Sequence, residues 1–415
     1  MQLLEYYRKA YRKHGYIKGV MFLLVTIGHK VLERCYVWYI KQFAHIDKSV
    51  ILFSSIPDYS DNARALAEYM VENGYTKKFK LYFNVVDLAK YENKVDGITF
   101  VSCKNEFGSC KLTKLRLMIT AGYSMDTHAN LLPTRYWKSG QYRVRLWHGC
   151  GYKDRNSSDK VGVRRFDIAL VPGNLFVKTK AYYWNVAEKY ILPIGYPRYN
   201  WLKTRDSRAE QLLSSYKTDD KTKVVIWMPT FRNDKEGRLL DTASITQFPL
   251  VAEKSQWLDI DRLCKEKNVV LLVKLHRLQP EYDIPFEQIT NVIKIDNDSF
   301  EKADVQMYKF LALTDALISD YSSVAIDYLI VNRPIAFALQ DYEEYKHSRG
   351  FVFEDPRIYM PGHHLYHFDD LKNFLLDISE GRDPYVEQRK QMYGKAIYYS
   401  DNYCKELLDK IGIYK

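Results

Sequence analysis

The chain has 415 residues, which is too many for one core, because domains usually run to about 100–200 residues. A hydrophobic content of 47% and a charged content of 27% are ordinary for a globular protein with ample apolar surface to bury. The net charge of +11 and the 35 tyrosines indicate an anionic partner, such as a nucleotide, a nucleic acid or an acidic lipid surface.

The cysteines and the N-terminus bear on the compartment. The six cysteines contain no C-x-x-C pair and no zinc spacing, and scattered thiols in a long chain fit a reducing compartment. No secretory signal with a small-residue cleavage site precedes the first predicted strand, so export is not expected. We therefore predict a cytoplasmic protein.

Residues 1–45 form a basic, aromatic-rich segment with a helical pattern. Its apolar run from Val20 to Ile27 is far shorter than the roughly 20 residues that span a bilayer. Such a segment fits an amphipathic helix lying on the inner face of an anionic membrane. The alternative is a helix packed on the first domain with its basic face solvated.

Strand and helix patterns alternate through residues 46–194, the predicted first domain. A helical pattern over "DNARALAEYMVENG" ends at Gly74. The predicted strands are "SVILFSS", "KFKLYFNVV", "GITFVSC", "YRVRLWHG", "FDIALVPG" and "KYILPIG". Short apolar runs that alternate with helices predict a parallel α/β sheet.

The same alternation restarts after a Pro- and Gly-bearing loop and defines a predicted second domain, residues 195–385. Its strands are "KVVIWMPTFRND", "NVVLLVKLHRLQP", "NVIKIDND", "DALISDYSS" and "RPIAFAL", and residues 386–415 read as C-terminal helices. Two similar sheets facing each other across a cleft are the simplest assembly. Ligands of open α/β sheets bind at the carboxyl ends of the strands, so the residues just after each strand are the candidate site.

The first polar cluster at a strand end is "RLWHGCGYKD", where His148 follows a strand and Gly149 comes next. Glycine lets the backbone approach a ligand closely, and histidine transfers protons near neutral pH. The alternative is a histidine satisfied within a tight turn.

Cationic and hydroxyl side chains follow three further segments. They are Arg198 in the inter-domain loop, Thr230 and Arg232 after one strand, and Lys274 with His276 after another. Each cation taken singly is explained equally well as a solvated charge. Together they predict a cationic ring around the cleft.

The last cluster is "SDYSSVAIDYLIV", in which Ser322 and Ser323 begin a predicted helix. The first N–H groups of a helix and the adjacent hydroxyls favour an anion such as a phosphate. Plain N-capping is the alternative for the serines. Asp327 interrupts the apolar pattern one turn later, and a ligand hydroxyl is one partner that would satisfy it.

Familiar cofactor motifs are missing. There is no G-x-x-x-x-G-K-[ST] sequence and no G-x-G-x-x-G after a strand. The acidic run 296–298 and the histidine-rich run 363–367 read as loops rather than metal ligands. No cofactor and no metal are predicted.

The clusters, in this order, resemble the CDP-glycerol glycerophosphotransferase family, the teichoic acid primases and polymerases of the TagB/TagF type. The motifs that carry the resemblance are "WHG", "PR" after Gly-Tyr, "PTFR", "KLH" and "SDYSSVAIDYLIVNRP", between roughly Tyr142 and Pro334. The resemblance implies a GT-B fold with two Rossmann-like domains. The family's functional positions fall on His148, Arg198, Thr230, His276, Ser322, Ser323 and Asp327.

The sequence departs from the family pattern W-H-G-T-P-L-K at three positions, Cys150, Gly151 and Tyr152. The lost threonine hydroxyl and the lost proline put the polyol contacts and the donor's identity in question. The acid of P-T-F-R-D is also displaced, with Asn233 in its place and Asp234 one residue later.

The resemblance implies transfer of a polyol phosphate, glycerol or ribitol phosphate, from a CDP-polyol to a hydroxyl of a lipid-linked or polymeric glycan acceptor. CMP is released, in teichoic acid or capsule-type synthesis. We expect His148 as the base and His276 as a donor to the pyrophosphate, although the reverse assignment fits as well. In-line transfer needs neutralised charge, which the cationic ring can supply without a metal.

Three rival functions remain. A GT-B glycosyltransferase would share the cleft but would move a sugar from a nucleotide sugar. A nucleic-acid-binding protein is disfavoured because Lys and Arg are spread along the chain without a known module. A membrane-docked scaffold with a dead site is disfavoured because the polar clusters are complete.

Overall fold

The computed structural model describes residues 20, 25, 27–103, 110–128, 136–154, 166–230, 248–275 and 284–415. Two predicted site residues, Arg232 and His276, lie outside the described residues. The other eight lie within them, so most of the predicted site has a structural setting.

The first sheet has seven parallel strands in the order β3-β2-β1-β4-β5-β6-β7. Their bounds are β1 Asp47–Ser54, β2 Lys80–Asn84, β3 Ile98–Val101, β4 Ala121–Asp126, β5 Tyr142–Arg145, β6 Ile168–Leu170 and β7 Ile191–Leu192.

The second sheet has six parallel strands in the order β10-β9-β8-β11-β12-β13. Their bounds are β8 Lys223–Trp227, β9 Val269–Val273, β10 Val292–Lys294, β11 Ala316–Ser319, β12 Ile335–Ala338 and β13 His363–Leu365.

Helices connect the strands, as parallel strands require crossover connections. The first, α1, includes residues 27–43. The others are α2 Asp61–Glu72, α3 Leu88–Tyr91, α4 Leu112–Thr120, α5 Val177–Trp184, α6 Ser207–Ser214, α7 Lys254–Glu266, α8 Asn297–Lys302, α9 Met307–Leu311, α10 Val324–Tyr328, α11 Tyr342–Ser348, α12 Phe368–Ser379, α13 Val386–Ala396 and α14 Tyr403–Lys410.

The strand cores explain why these segments form sheets. Every residue of β9, "VVLLV", and of β12, "IAFA", is buried, as expected when helices cover both faces of a parallel sheet. A short 3₁₀ segment, Pro197–Leu202, follows the first sheet and precedes α6. The predicted α/β fold with two parallel sheets is confirmed.

Two strands were not predicted. β4 lies in the middle of the first sheet, yet it begins at Ala121, directly after α4 ends at Thr120, without an intervening turn residue. The interpretation of the histidine-rich run as a loop was wrong, because His363 and His364 lie in β13. The acidic run is also not a loop: Asp296 caps α8 by accepting a hydrogen bond from the Ser299 N–H.

The helix α1 packs on the first sheet and on α4 through one face. Glu33, Val37 and Ile40 are buried at helical spacing, and the Tyr136 hydroxyl donates to the Glu33 carboxylate. Among the described residues, no helix has the length and apolarity needed to cross a bilayer.

The C-terminal helices return to the first sheet. The Tyr403 N–H donates to the Asn200 side-chain oxygen at 2.9 Å, and the Tyr398 N–H donates to the Pro172 carbonyl at 2.7 Å. The C-terminal segment predicted from residue 386 therefore spans from the second sheet back to the first. The predicted domain boundaries themselves stay a prediction.

Candidate active site

The turn after β5 holds the predicted histidine in a constrained backbone. Trp147 has a φ of +57°, which is unusual for a bulky residue and recurs at functional sites. The Asn62 side-chain amide donates to the Trp147 carbonyl at 2.8 Å and to the Leu146 carbonyl at 3.3 Å. The first residues of α2 therefore fix the direction in which His148 leaves the strand.

His148 is held by the end of β4. Its Nδ1 lies 3.3 Å from the Thr127 carbonyl oxygen, which can only accept, so Nδ1 carries the proton and Nε2 keeps a lone pair. The ring stacks on His128 with centroids 4.3 Å apart and planes 8° apart. The Thr127 hydroxyl lies 2.7 Å from Nδ1 of the same His128. One residue thus orients both imidazoles.

The surroundings of His148 favour its neutral form. His148 is exposed to solvent, although neighbouring protein groups partly enclose and desolvate it. This enclosure, and next the neighbouring His128, lower the pKa of His148 from its usual 6.5, and the charges of Lys180 and Arg198 act in the same direction. A neutral imidazole with a lone pair on Nε2 is a competent general base.

The loop after His148 crosses to the second sheet. A β-carbon on Gly149 would overlap the Ser323 hydroxyl and lie 2.9 Å from the Ser323 β-carbon. A β-carbon on Gly151 would lie 2.9 Å from the Ser323 backbone nitrogen. Further along, Lys153 forms an antiparallel bridge with Phe351. Both glycines are therefore needed for the contact between the two halves of the site.

The departure from the family pattern at Cys150 concerns the interior. The Cys150 side chain is buried, with Sγ 3.1 Å from the Tyr196 hydroxyl. Burial raises the pKa of the Cys150 thiol to about 11. The side chain in this position therefore lies inside the protein, in contact with Tyr196.

Arg198, predicted to bind the donor, joins two carboxylates from different halves of the protein. Its guanidinium lies 2.6 Å from Asp61 at the start of α2 and 2.6 Å from Asp327 on α10. The side chain is 3% exposed, and burial alone would lower its pKa. The surrounding carboxylates and phenols outweigh burial and hold the pKa well above its usual value. The charge of Arg198 is thus used within the protein.

Asp327 is fully buried and has protein partners rather than an open side. The hydroxyls of Tyr199 and Tyr308 both donate to its carboxylate, in addition to the Arg198 ion pair. Burial raises the pKa of Asp327, and Arg198 and the two hydroxyls oppose that rise. We assign the pair as ionised, because the three charge-assisted contacts to its carboxylate, from Arg198, Tyr199 and Tyr308, would be weakened by a proton on Asp327.

Ser322 and Ser323 lie between β11 and α10, as predicted, but neither caps the helix through its side chain. Ser323 occupies the N-cap position and makes no side-chain cap hydrogen bond. The helix has only five residues, so its dipole contributes little. A phosphate at this position would therefore depend on the two hydroxyls and on nearby N–H groups.

Asp320 connects Thr230 to the serine loop. The Thr230 N–H donates to the Asp320 carboxylate at 2.7 Å and its hydroxyl donates at 2.5 Å. The same carboxylate accepts from the Ser322 N–H at 3.2 Å. Asp320 was missed by sequence reasoning, although its position inside the "SDYSS" motif was a signal.

Lys274 lies apart, at the end of β9. Its Nζ donates to the Asn297 side-chain oxygen at 2.9 Å. Burial lowers the pKa of Lys274 to about 8, with Asp296 opposing the shift. It remains a cation near neutral pH, close to the first residues of α8.

The structure thus brings together five of the predicted residues, His148, Gly149, Arg198, Ser323 and Asp327, with Ser322 and Thr230 connected through Asp320. Among the described residues, the hydrogen bond of Lys274 is to Asn297 and not to this group. Within the described ranges, no group of three His, Cys, Asp or Glu side chains could hold a metal ion. Transfer without a metal stays a prediction.

Comparison with known proteins decides the family. The model of the CDP-glycerol:poly(glycerophosphate) glycerophosphotransferase family matches residues 36–409. The chain belongs to this family. It is an enzyme of the glycerophosphotransferase type, and the prediction of polyol-phosphate transfer in teichoic acid-type synthesis is confirmed at the level of the family.

Two relatives from Staphylococcus aureus illustrate the match. The chain is 25% identical to the teichoic acid ribitol-phosphate polymerase TarK, over 96% of its own length and 76% of the relative. It is 26% identical to a teichoic acid glycerol-phosphate transferase, over 87% of this chain and 92% of the relative. It spans only 63% of a third relative, the ribitol-phosphate polymerase TarL.

A solved structure supports the fold. The wall teichoic acid polymerase TagF superposes with a TM-score of 0.70 at 21% identity, covering 94% of each chain. At this identity the likeness shows the fold alone. The fold of this chain thus matches that of TagF over 94% of the chain.

Proposed function

We propose that the protein transfers a polyol phosphate from a CDP-polyol to a hydroxyl of a lipid-linked or polymeric cell-envelope glycan, with release of CMP. The observation that carries the proposal is the contact between the two halves of the site. It places His148, with a lone pair on Nε2, next to Gly149, whose backbone packs on Ser323. A base and a hydroxyl-bearing anion seat are the two parts that phosphoryl transfer requires.

The reaction is a displacement at the phosphorus that bears the polyol. The acceptor hydroxyl forms the new P–O bond while its proton passes to Nε2 of His148. The P–O bond to the bridging oxygen breaks, and CMP leaves with that electron pair. The polyol phosphate becomes a phosphodiester on the acceptor, so atoms and charge balance.

In this proposal the donor's phosphates bind on the side of the second sheet. Ser322 and Ser323 offer hydroxyls that are not used as helix caps. Thr230 positions the loop through Asp320, and Lys274 supplies a positive charge at the end of a neighbouring strand. Arg232 and His276, outside the described residues, keep their predicted roles in donor binding and catalysis as part of this proposal.

Arg198 and Asp327 receive a different role from the one predicted. Because their charges are satisfied by each other and by Asp61, we propose that they position the two halves of the site. The predicted donor-binding role of both residues stays a prediction, and Arg198 does lie beside Gly149.

The names of relatives are consistent with this donor and acceptor. One solved form of TagF is a variant with CDPG after a soak. The related transferases act in teichoic acid assembly, with glycerol phosphate or ribitol phosphate units. These likenesses support a CDP-polyol donor and a polyol-phosphate polymer as the acceptor, and they do not choose between glycerol and ribitol.

We also propose that the protein works in the cytoplasm, on the inner face of the cell membrane. On α1, Leu32, Trp38 and Phe43 are each more than 60% exposed, whereas Val37 and Ile40 are buried. Exposed aromatic and apolar side chains next to basic residues are typical of helices that lie in the headgroup layer. Binding to the membrane would bring the enzyme to a lipid-linked acceptor.

A donor panel tests the transferase activity. Purified protein is incubated with a polyol-phosphate acceptor and CDP-glycerol, CDP-ribitol or UDP-sugars, and CMP or UDP release is measured. We expect CMP from a CDP-polyol, and a loss of about a hundredfold or more in His148→Ala, since base catalysis contributes that much. His347→Ala, on the surface of α11, is the matched control. Sugar transfer with UDP release would establish the glycosyltransferase alternative.

Vesicle sedimentation tests the membrane proposal. The double variant Trp38→Ser and Phe43→Ser should lose binding to anionic vesicles, and its melting temperature should stay close to that of the wild type. Ile358→Ser is the control, because that side chain is 72% exposed on another part of the protein. Equal sedimentation of both variants would refute the role of α1.

A further inference from the structure

Lys180 is a buried cation that the predicted site does not include. It lies on α5, and its side chain is 7% exposed. Three aromatic rings surround its ammonium group: Tyr183 at 4.2 Å, Trp147 at 5.3 Å and Trp184 at 5.6 Å from the ring centroids. The charge is therefore held in one position, although aromatic faces compensate only part of the cost of burial.

Within the described part of the chain, no carboxylate contacts Lys180 directly, and Asp154 acts on its charge only from a distance. Lys180 makes no hydrogen bond and no ion pair with the residues that the structure describes. The ammonium nitrogen of Lys180 is not fully enclosed by protein, so part of the small accessible surface of this residue belongs to the ammonium. Burial lowers the pKa of Lys180, while the Cys150 thiol and the Asp154 carboxylate oppose the shift and Arg349 adds to it. Such a group favours an anionic ligand.

The position of Lys180 relative to the base suggests which anion. The Trp147 ring lies 4.1 Å from the His148 ring and also faces the Lys180 ammonium. Lys180 thus lies on the first-sheet side of His148, whereas Ser322 and Ser323 belong to the second sheet. In the proposed reaction the donor's phosphates occupy the second-sheet side, so we assign an anion at Lys180 to the acceptor.

We propose that Lys180 binds the phosphodiester of the polyol phosphate unit already present at the end of the acceptor. The inference rests on the proposed function, because transfer of a polyol phosphate leaves a phosphodiester a few bonds from the next attacking hydroxyl. A cation beside the base would recognise that group. Lys180 would then favour an acceptor that already carries one unit over an acceptor that carries none.

Kinetics with two acceptors test the assignment. One acceptor ends in a glycerol phosphate unit, and the other is the same glycan without it. In Lys180→Met, KM for the phosphate-bearing acceptor should rise about tenfold or more, as for a lost hydrogen bond to a charged group. KM for the phosphate-free acceptor and the Kd of CDP-glycerol should change by less than about twofold, a small effect on the same scale. Lys180→Arg should recover much of the loss, and Lys178→Met, exposed on the same helix, is the control.

A binding measurement on the wild-type protein does not depend on activity. Lys180 is acetylated with acetic anhydride in the presence and absence of sn-glycerol 3-phosphate, and modification is read by mass spectrometry. We expect protection of Lys180 and no protection of Lys178. If the wild type transfers nothing from any CDP-polyol, the proposed function fails, while this labelling still reports whether Lys180 binds a phosphate.

Each other outcome overturns the proposal. A loss of CDP-glycerol affinity in Lys180→Met with unchanged acceptor KM would assign the anion to the donor. Unchanged kinetics with both acceptors would leave Lys180 as a cation packed on aromatic rings. If the Met variant does not fold, the Arg variant and the labelling decide, and absence of protection by sn-glycerol 3-phosphate refutes the assignment.

Discussion

Gly149 and Ser323 are in direct contact across the two halves of the protein, so close that a β-carbon on Gly149 would lie 2.9 Å from the Ser323 β-carbon. Gly149 also has a φ of +142°, which side-chain-bearing residues rarely adopt. The position of the base relative to the serine loop therefore depends on the absence of a single methyl group.

Gly149→Ala should separate the two loops. We expect the free energy of unfolding to fall by about 1–3 kcal/mol, as for overpacking, and CMP release to fall about tenfold or more because catalytic geometry is lost. Gly394→Ala is the control, since no atom lies within 4 Å of its added β-carbon and alanine favours the interior of α13. An alanine variant at Gly149 with wild-type stability and activity would contradict the close contact.

Asp327→Asn should destabilise the protein. Asp327 is one partner of a buried ion pair with Arg198, and asparagine would remove its charge. Removing one partner of a buried pair typically lowers the free energy of unfolding by about 3–5 kcal/mol. Urea unfolding of the variant and the wild type measures this loss. Glu210→Gln, which breaks the exposed pair with Arg205, should change stability by less than about 1 kcal/mol. Equal effects of the two changes would show that the buried pair has no special weight.

Replacing Ser322 and Ser323 together by alanine separates phosphate binding from helix capping. Neither stability nor the helix should suffer, because no side-chain cap is present to lose. The Kd of CDP-glycerol, measured by calorimetry, should rise well over tenfold, at roughly 1.5–3 kcal/mol for each lost bond to a charged group.

The control for this pair is Asn402→Ala. The Asn402 side chain accepts from the Lys405 N–H at 3.0 Å and so caps α14. Its loss should cost about 1 kcal/mol of stability and leave donor affinity unchanged. A double-serine variant that behaves like Asn402→Ala would assign the serines to capping.

The pH dependence of CMP release should reflect the lowered pKa of His148. The base works in its neutral form, so kcat/KM should hold as pH falls to 6.5 and decline only below that value, as His148 gains a proton. His128→Gln removes a neighbouring imidazole that lowers this pKa, and it should move the acid limb to higher pH. His347→Gln, on the surface, should leave the limb in place. An acid limb that does not move in His128→Gln would separate His128 from the titration of the base.

The sequence by itself determined the sheets and most of the site's parts. Runs such as "VVLLV" are apolar throughout because both faces of a parallel sheet are covered, and that pattern is local. The motifs around His148 and Ser323 could be found because each follows its strand within a few residues, which is also a local pattern. The strand β4 escaped because it follows α4 without a turn, and its end carries His128 and Thr127.

The tertiary structure alone decided what these residues do to one another. Arg198 looked like a cation for the donor, yet it lies between Asp61 and Asp327, which are 137 and 129 residues away along the chain. Cys150 looked like a lost ligand contact, yet its side chain faces Tyr196. Lys180 had no motif at all. The ion pairs of Arg198 and the close approach of Gly149 to Ser323 join segments far apart in the sequence, so no local pattern can report them.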